Sequence, residues 1–322
     1  MSRSGDPVAT GRLLVGLAQM SMSPDSQRNL DRALEMIADA AARGARLICL
    51  PELFAWRYFC QSEDPAHFAL AEPVPGPVTR ALEALAADLD VAVAAGVFER
   101  RAPGIFHNAA VYIDGRRGYR GKYRKMHIPD DPGYSEKFYF TPGDLGFRVF
   151  GSPWGKCGLL LCWDQWFPEA ARLATLQGAR ILLYPTAIGS QPADGPGERR
   201  SQREAWELVQ RSHGVANGCF AVAVNRVGFE SAPDGSAGIE FWGRSFVSGP
   251  DGRVLARASG DSEEVLTAEL DLGAVDRWRV EWPFLRDRRI DAYAGLTARF
   301  LDRSNATELA AEKDEPSRTV TK

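Results

Sequence analysis

The chain has 322 residues, of which 45% are hydrophobic, with a net charge of −3 and a pI near 5.9. It contains no extended basic run, so nucleic acids and acidic membrane surfaces are not expected partners. No apolar stretch approaches the roughly 18 residues that cross a bilayer. Residues 1–11 are polar and lack the apolar core of a signal peptide. We therefore expect a cytosolic protein, and single α/β domains of this length are common.

The cysteines do not suggest disulfides or a metal site. Five cysteines are an odd number, and disulfides are not expected in a reducing cytosol. Cys49, Cys157 and Cys219 lie in or beside apolar runs, which predicts small core residues. No CxxC spacing is present and the four histidines lie far apart, so no metal site is expected.

The first half of the chain predicts the order β-α-β-α-β-β. Residues 25–43 show the spacing of an amphipathic helix, with Pro24 before the segment and Gly44 at its end. The elements predicted in this half are strands at 13–20, 46–50, 91–99 and 108–113, and helices at 25–43 and 78–89.

The second half predicts the same order again, without a linker between the halves. Its predicted elements are strands at 156–162, 180–184, 220–224, 243–248, 254–258 and 264–270, and helices at 168–177 and 199–216. The strands are apolar enough to be covered on both faces. We therefore predict an α/β fold: a four-layer α-β-β-α sandwich with an internal pseudo-twofold. It would form a single domain over 13–300, with an N-terminal extension at 1–12 and a polar C-terminal tail at 301–322.

Cys162 ends an apolar run shortly before a predicted helix. The carboxyl ends of strands are where α/β sheets carry their chemistry. The sequence therefore predicts a thiol at a strand tip, and the nearby helix dipole is expected to lower its pKa.

Two further residues complete a candidate catalytic set. Glu52 directly follows the second strand, and Lys125 lies in the segment 121–127, after the strand at 108–113. We expect Glu52 and Cys162 to occupy equivalent strand tips and to face each other across the pseudo-twofold.

These residue types suit one mechanism. Cys162 would attack a carbonyl carbon bonded to nitrogen, and Glu52 would accept the thiol proton and return it to the leaving nitrogen. Lys125 and the backbone N–H of Trp163 would stabilise the oxyanion. Spacing alone does not favour Lys125 over Lys122, and it also allows a strand-end cysteine to be an ordinary core residue.

Three ordered motifs carry a family resemblance. Residues 51–52, 125–127 and 162–169 together resemble the Glu-Lys-Cys triad motifs of the nitrilase superfamily of carbon–nitrogen hydrolases. The resemblance extends over roughly residues 13–300. It implies a nitrilase-like fold, no cofactor, a second glutamate at Glu136 and a homo-oligomer built on a dimer.

A narrower resemblance covers residues 122–144, 241–246 and 282–293, which are similar to N-carbamoylputrescine amidases. Those enzymes hydrolyse N-carbamoylputrescine to putrescine, ammonia and carbon dioxide, a step of polyamine formation. One departure is Ser135, where the resemblance leads us to expect a bulky aromatic residue.

The expected substrate is a small carbamoyl amine with a cationic end. Asp130, Asp131 and Glu136, together with Tyr134, could form an acidic mouth, since an ammonium group favours carboxylates and aromatic faces. Asp130 and Asp131 could equally form a solvated turn. Two other hypotheses stay open: an amidase acting on another ω-amide or on a β-ureido acid, and a non-catalytic scaffold of the same fold that binds a partner protein.

Overall fold

The computed structural model describes residues 11–232, 235 and 238–301. The chain divides into two compact units, Met1–Trp282 and Pro283–Lys322. In the second unit the described residues form two short 3₁₀ turns, Ile290–Ala292 and Ala294–Thr297. Nearly all of the predicted extension and tail lies outside the described residues, and the single domain over 13–300 stays a prediction.

The first unit alternates strands and helices along the chain. Its strands are β1 (Arg12–Gln19), β2 (Leu47–Cys49), β3 (Ala92–Ala102), β4 (Ile105–Asp114), β5 (Gly118–Arg124), β6 (Arg148–Ser152), β7 (Gly155–Leu159), β8 (Ala179–Pro185), β9 (Gly189–Ser190), β10 (Phe220–Val224), β11 (Val227–Glu230), β12 (Ile239–Trp242), β13 (Phe246–Ser248), β14 (Val254–Arg257) and β15 (Glu264–Asp271). Its α-helices are α1 (Ser26–Ala42), α2 (Pro77–Leu89), α3 (Glu136–Tyr139), α4 (Pro168–Leu176), α5 (Pro196–Asn217) and α6 (Gly273–Glu281). Short 3₁₀ helices occupy Phe59–Gln61, Pro65–Leu70 and Cys162–Trp166.

Two six-stranded sheets build the sandwich. The strand order is β15-β1-β2-β3-β4-β5 in one sheet and β6-β7-β8-β10-β13-β14 in the other. In both, the central strands pair in parallel and the flanking strands pair antiparallel. Helices α1 and α2 pack on one sheet, and α4 and α5 on the other. The predicted four-layer α-β-β-α fold is confirmed.

The alternation of side chains along β1 explains its place between two layers. Leu13, Val15 and Leu17 join the core between the two sheets, whereas Ala18 packs in the core on the helix side. Successive residues of a strand point to opposite faces, so a strand covered on both faces needs apolar residues at nearly every position. Helix α1 is preceded by Asp25, whose carboxylate caps it by accepting the backbone N–H groups of Gln27 and Arg28.

The strand orders fix which elements correspond across the pseudo-twofold. Strand β1 corresponds to β7, and β2 corresponds to β8. Gly16 of β1 and Gly158 of β7 support this match, since a Cβ on either would lie within about 3 Å of a helix alanine, Ala40 or Ala174. Each glycine lets a helix approach its sheet closely.

This correspondence corrects one expectation from the sequence. Cys162 follows β7 and therefore corresponds to Met20, which follows β1. Glu52 follows β2 and corresponds to Thr186, which follows β8 and is likewise preceded by a proline. Glu52 and Cys162 thus lie at non-equivalent strand tips, one in each sheet, and the expectation of equivalent tips is wrong.

Several elements were not predicted. Strand β5 occupies a segment for which the sequence predicted no element, because its residues are mostly polar and its burial is partial. The short strand β6 at the other sheet's edge, the small sheet β11-β12-β9 and helix α6 were also missed. Edge strands and two- to four-residue strands carry too little apolar periodicity to be recognised.

No helix among the described residues combines the length and the apolar character needed to span a membrane. The longest, α5, has 22 residues and many charged side chains. All five cysteines are free and buried, including Cys49, Cys157 and Cys219, which were predicted to be core residues.

Gly96 of β3 allows the segment that carries Glu52 to pack directly on the sheet. A Cβ at this position would lie 2.5 Å from the Cα of Glu52 and 2.8 Å from the backbone nitrogen of Leu53. We expect Gly96→Ala to lower the free energy of unfolding by about 1–3 kcal/mol, because backbone atoms must move to relieve the overlap. Urea denaturation measures this change. Gly151→Ala in β6 is the matched control, since nothing lies within 4 Å of its Cβ position. Equal stability of the two variants would contradict the prediction.

Candidate active site

A fully buried lysine lies at the centre of the site. The Nζ of Lys125 donates to Glu52 Oε1 at 2.8 Å and to Glu136 Oε1 and Oε2 at 2.9 and 2.7 Å. All three side chains are inaccessible to solvent. Lys125 directly follows β5, Glu52 follows β2, and Glu136 begins the single turn of α3. The structure therefore brings together three of the four residues that the sequence nominated for catalysis.

Two neighbours that sequence reasoning missed complete this cluster. Asn108 Nδ2 donates to Glu52 Oε1 at 2.7 Å and to Glu136 Oε2 at 3.2 Å. The hydroxyl of Tyr58 donates to Glu136 Oε1 at 2.7 Å. A polar asparagine inside the otherwise apolar strand β4 was a usable signal, whereas nothing in the sequence singled out Tyr58.

One carboxylate oxygen in the cluster is left over. Glu52 Oε2 is buried and has no hydrogen-bond partner among the described residues. A buried acceptor without a partner is energetically costly. This oxygen is therefore the atom of the cluster that is free to accept a proton.

Burial and charge set the protonation states. Burial alone would lower the pKa of Lys125, but the carboxylates of Glu136 and Glu52 offset it, so that the pKa lies well above its usual value. Burial raises the pKa of Glu136, and the adjacent Glu52 raises it further, against the opposing effect of Lys125. The lysine is thus held as an ammonium ion, which is the form that can stabilise a developing negative charge.

Cys162 sits at a sharp turn just beyond β7. Its φ of +41° is in the left-handed region, which non-glycine residues adopt only at an energetic cost. The buried Asp164 holds the turn: Oδ2 accepts the backbone N–H of Leu161 at 3.0 Å and the hydroxyl of Tyr123 at 2.7 Å. The thiol Sγ lies 3.7 Å from the carbonyl oxygen of Ala187.

The predicted direction of the pKa shift of Cys162 is wrong. The sequence predicted a lowered pKa, but burial raises the pKa of Cys162 well above its usual value, and Glu52 raises it further while Lys125 lowers it. The element that starts at Cys162 is only a five-residue 3₁₀ helix, and α4 begins six residues later. The predicted helix-dipole effect is therefore too weak to offset desolvation and the nearby negative charge.

Cys162 opens onto a cavity of about 460 Å³. Its wall is largely apolar and aromatic, and the ionisable side chains that line it besides Cys162 include the carboxylates Asp131, Glu136 and Asp194. None of the described residues in the lining is arginine, lysine or histidine. The aromatic and polar lining residues are Tyr134, Trp163, Trp166, Trp242, Gln191, Ser201 and Gln202.

The predicted substrate-binding residues fall into two groups. Asp131, Tyr134 and Trp163 line the cavity, and the Tyr134 hydroxyl is fixed by the backbone N–H of Gly189 at 3.0 Å. Asp130 is exposed and is not part of the lining, so the solvated-turn interpretation suits it better. Ser135 is also outside the lining.

The choice between the two lysines has a geometric answer. Lys122 points to a different partner set: its Nζ donates to a carboxylate oxygen of Glu99 and to the carbonyl of Val74 at 2.9 Å. Only Lys125 lies between the two buried glutamates. Among the residues described, no group of three or more His, Cys, Asp or Glu side chains is arranged to hold a metal ion.

Comparison with known proteins places this site in a family. Residues 14–280 match the family model described as carbon–nitrogen hydrolase. The chain is 43% identical over 287 residues to N-carbamoylputrescine amidase of Arabidopsis thaliana, covering 88% of this chain and 95% of the relative. It is 36% identical over 287 residues to a citrullinase of Francisella tularensis, covering 89% of this chain and 98% of the relative.

A solved structure gives the same result. A carbon–nitrogen hydrolase from Helicobacter pylori G27 superposes with a TM-score of 0.88 at 45% sequence identity, covering 90% of this chain and all of the other. The protein belongs to the carbon–nitrogen hydrolase family, and is therefore a hydrolase of the nitrilase superfamily.

The two lysines provide a matched test of the site. Lys125→Ala leaves two buried carboxylates without their counter-ion and removes the proposed oxyanion donor, so we expect kcat to fall by at least about 100-fold. Lys122→Ala removes one partner of the buried Glu99, which keeps its two hydrogen bonds from Arg124, and is expected to change kcat by less than about 3-fold because Lys122 donates to neither Glu52 nor Glu136. Both values come from initial rates of ammonia release. The reverse order of effects would show that the wrong lysine has been assigned.

Proposed function

We propose that this protein hydrolyses N-carbamoylputrescine to putrescine, ammonia and carbon dioxide through a cysteine thioester. The resemblance to N-carbamoylputrescine amidases over most of the chain supports the reaction type. The observation that carries the mechanism is the unpartnered Oε2 of Glu52 in a cluster whose other carboxylate oxygens bind Lys125.

The first half of the reaction forms the thioester. The Sγ of Cys162 attacks the carbamoyl carbon, and its proton passes to Glu52 Oε2. Because the thiol has a raised pKa, it is protonated at neutral pH, and the attack therefore needs this base. The Lys125 ammonium, with the backbone N–H of Trp163, stabilises the oxygen of the tetrahedral intermediate. Glu52 returns the proton to the departing nitrogen as the carbon–nitrogen bond breaks.

The second half restores the enzyme. Water adds to the thioester carbonyl while Glu52 accepts its proton, and the carbon–sulfur bond then breaks as the thiol is re-formed. The product that leaves is a carbamic acid, which decomposes to carbon dioxide and to whichever of ammonia or putrescine did not depart in the first half. The sum of both halves is one amide-type bond hydrolysed by one water, with no oxidation or reduction.

The charge of the cavity supports a cationic substrate. Glu136 is occupied by Lys125 and Tyr58, which leaves Asp131 and Asp194 as the acids available to a substrate. Asp194 is held in place, since its Oδ2 accepts the backbone N–H of Gln191 at 2.8 Å. A distal ammonium group would pair with these carboxylates, whereas a carboxylate would meet like charge and no cationic side chain among the described residues of the lining.

Two other compounds are alternative substrates that the substrate panel described below distinguishes. The citrullinase relative suggests L-citrulline, which carries the same carbamoyl group with both an ammonium and a carboxylate at its far end. A β-ureido acid such as 3-ureidopropionate has only the carboxylate. A role in polyamine formation, a cytosolic location and a homo-oligomer built on a dimer stay predictions.

Replacing the thiol tests the chemistry without altering the cavity's charge. We expect Cys162→Ala to lose essentially all turnover, since removal of a covalent nucleophile costs far more than about 100-fold. The variant should still bind substrate, because the carboxylates and aromatic side chains of the cavity stay in place. Steady-state assays and equilibrium binding measure the two properties separately. Retention of more than about one hundredth of the wild-type rate would contradict the nucleophile assignment.

A substrate panel tests the role of the distal charge. We expect kcat/KM for N-carbamoylputrescine to exceed that for butylurea by about 10- to 100-fold, because a charge-assisted contact contributes roughly 1.5–3 kcal/mol. L-Citrulline and 3-ureidopropionate should be poorer still. Asp194→Asn and Asp131→Asn should each narrow the preference for N-carbamoylputrescine over butylurea.

The matched control for these variants is Asp130→Asn, since Asp130 is a neighbouring exposed aspartate outside the lining. It should leave the preference unchanged. Equal kcat/KM for N-carbamoylputrescine and butylurea would overturn the cationic-substrate proposal, and a preference for L-citrulline would redirect it, with the Cys162 chemistry intact in both cases.

A further inference from the structure

A buried arginine contacts the segment that carries Glu52. Arg226 lies two residues beyond the end of β10 and has no solvent-exposed surface. Its Nη2 donates to the backbone carbonyl oxygens of Glu52 at 2.7 Å and Leu53 at 3.2 Å. Its Nη1 donates to the carbonyl oxygen of Trp56 at 3.3 Å. A single guanidinium that follows a strand of the second sheet thus donates hydrogen bonds to three backbone carbonyl groups that follow β2 of the first sheet.

Glu230 neutralises this arginine and holds the same segment. Its Oε1 accepts from Arg226 Nη1 at 2.7 Å, and its Oε2 accepts the backbone N–H of Tyr58 at 2.6 Å. The guanidinium carbon lies 5.7 Å from the ring centroid of Tyr58 and 5.2 Å from that of Phe241. The ion pair therefore fixes the backbone of residues 52–58 at both ends.

Both ends of this segment point into the catalytic cluster. At one end the Glu52 carboxylate contacts Lys125, and at the other the Tyr58 hydroxyl contacts Glu136. Between them Leu53 has a φ of +49°, a conformation that a leucine adopts only when its surroundings impose it. The ion pair supplies four hydrogen bonds to the backbone of residues 52–58, and Asn29 adds one at the carbonyl of Ala55.

Arg226 and Glu230 do not belong to the cavity or to the catalytic cluster itself. Neither residue lines the cavity, and neither contacts the thiol or Lys125 directly. Burying two charges costs so much desolvation that a hydrophobic pair often gives equal or better stability. A role in stability alone is therefore a poor explanation for a charged pair at this position.

We propose that Arg226 and Glu230 are positioning residues, which set the placement of Glu52 and Glu136 around Lys125 through the backbone of residues 52–58. This inference rests on the proposed catalytic roles of Glu52 and Lys125. A guanidinium suits the task because its planar fork can contact several oxygens at fixed angles, which the point charge of a lysine cannot do.

The test separates turnover from substrate binding. Glu230→Gln keeps the shape of the side chain and one acceptor for Tyr58 but removes the charge. We expect kcat to fall by about 10- to 100-fold while KM changes by less than about 3-fold, since misplacing a catalytic group by about 1 Å costs on this scale. Arg226→Lys should show the same split, because it keeps the charge and loses the fork. All assays are run well below the melting temperature of each variant.

The matched control is Arg180→Met, which breaks a partly buried ion pair between Arg180 of β8 and Asp276 of α6. Neither residue belongs to the catalytic cluster or to the cavity lining. The Arg180→Met change should lower the melting temperature and leave kcat unchanged. A folded Glu230→Gln or Arg226→Lys enzyme with kcat within about 3-fold of wild type would refute the positioning role, and so would a rise in KM without a fall in kcat. If Glu230→Gln does not fold, Arg226→Lys decides alone.

A wrong substrate assignment would be detected in the substrate panel and not in these variants. The variants are assayed on whichever compound of the panel the wild-type enzyme hydrolyses best. A wrong substrate assignment changes the wild-type ranking, whereas a wrong positioning assignment changes only the ratio between variant and wild type.

Discussion

The whole site depends on holding one ammonium ion out of water. A lysine with no exposed surface is stable only if its charge is balanced, and Lys125 is balanced by two carboxylates rather than one. Burial raises the pKa values of Cys162 and Glu136, and Glu52 raises both further, whereas the lysine lowers both without reversing the effect of burial. The protonation states of the site thus follow from burial together with the spacing of one cation and two carboxyl groups.

This balance explains why the backbone around the site is so firmly fixed. Charges in a low-dielectric interior interact strongly, so small changes in their spacing change their energies considerably. The surroundings hold Glu52 through a glycine that admits close packing and through carbonyl groups bound by Arg226. The turn at Cys162 is held by a buried aspartate. Two left-handed residues, Leu53 and Cys162, are where the strain of this arrangement is stored.

The sequence predicted the fold well because the fold depends on apolar periodicity, which a sequence displays directly. The strands that precede Glu52 and Cys162 were recognisable for that reason, and the family resemblance supplied Lys125 and Glu136. Strand β5 was missed because polar residues at a sheet edge look like a loop. The roles of Tyr58 and Arg226 depend on hydrogen bonds between distant parts of the chain, the latter spanning more than 170 positions. No local pattern encodes such contacts, and the raised pKa of Cys162 likewise depends on tertiary burial.

The correspondence between Glu52 and Thr186 shows where the site lies relative to the pseudo-twofold axis. These two residues occupy matching positions in the two halves, and the backbone N–H of one donates to the carbonyl of the other at 3.4 Å. Equivalent positions that touch each other lie beside the symmetry axis, so the axis passes through the site. The first half contributes the acids and the ammonium, and the second contributes the thiol. Neither half contains all of these groups, so the site exists only where the two halves meet.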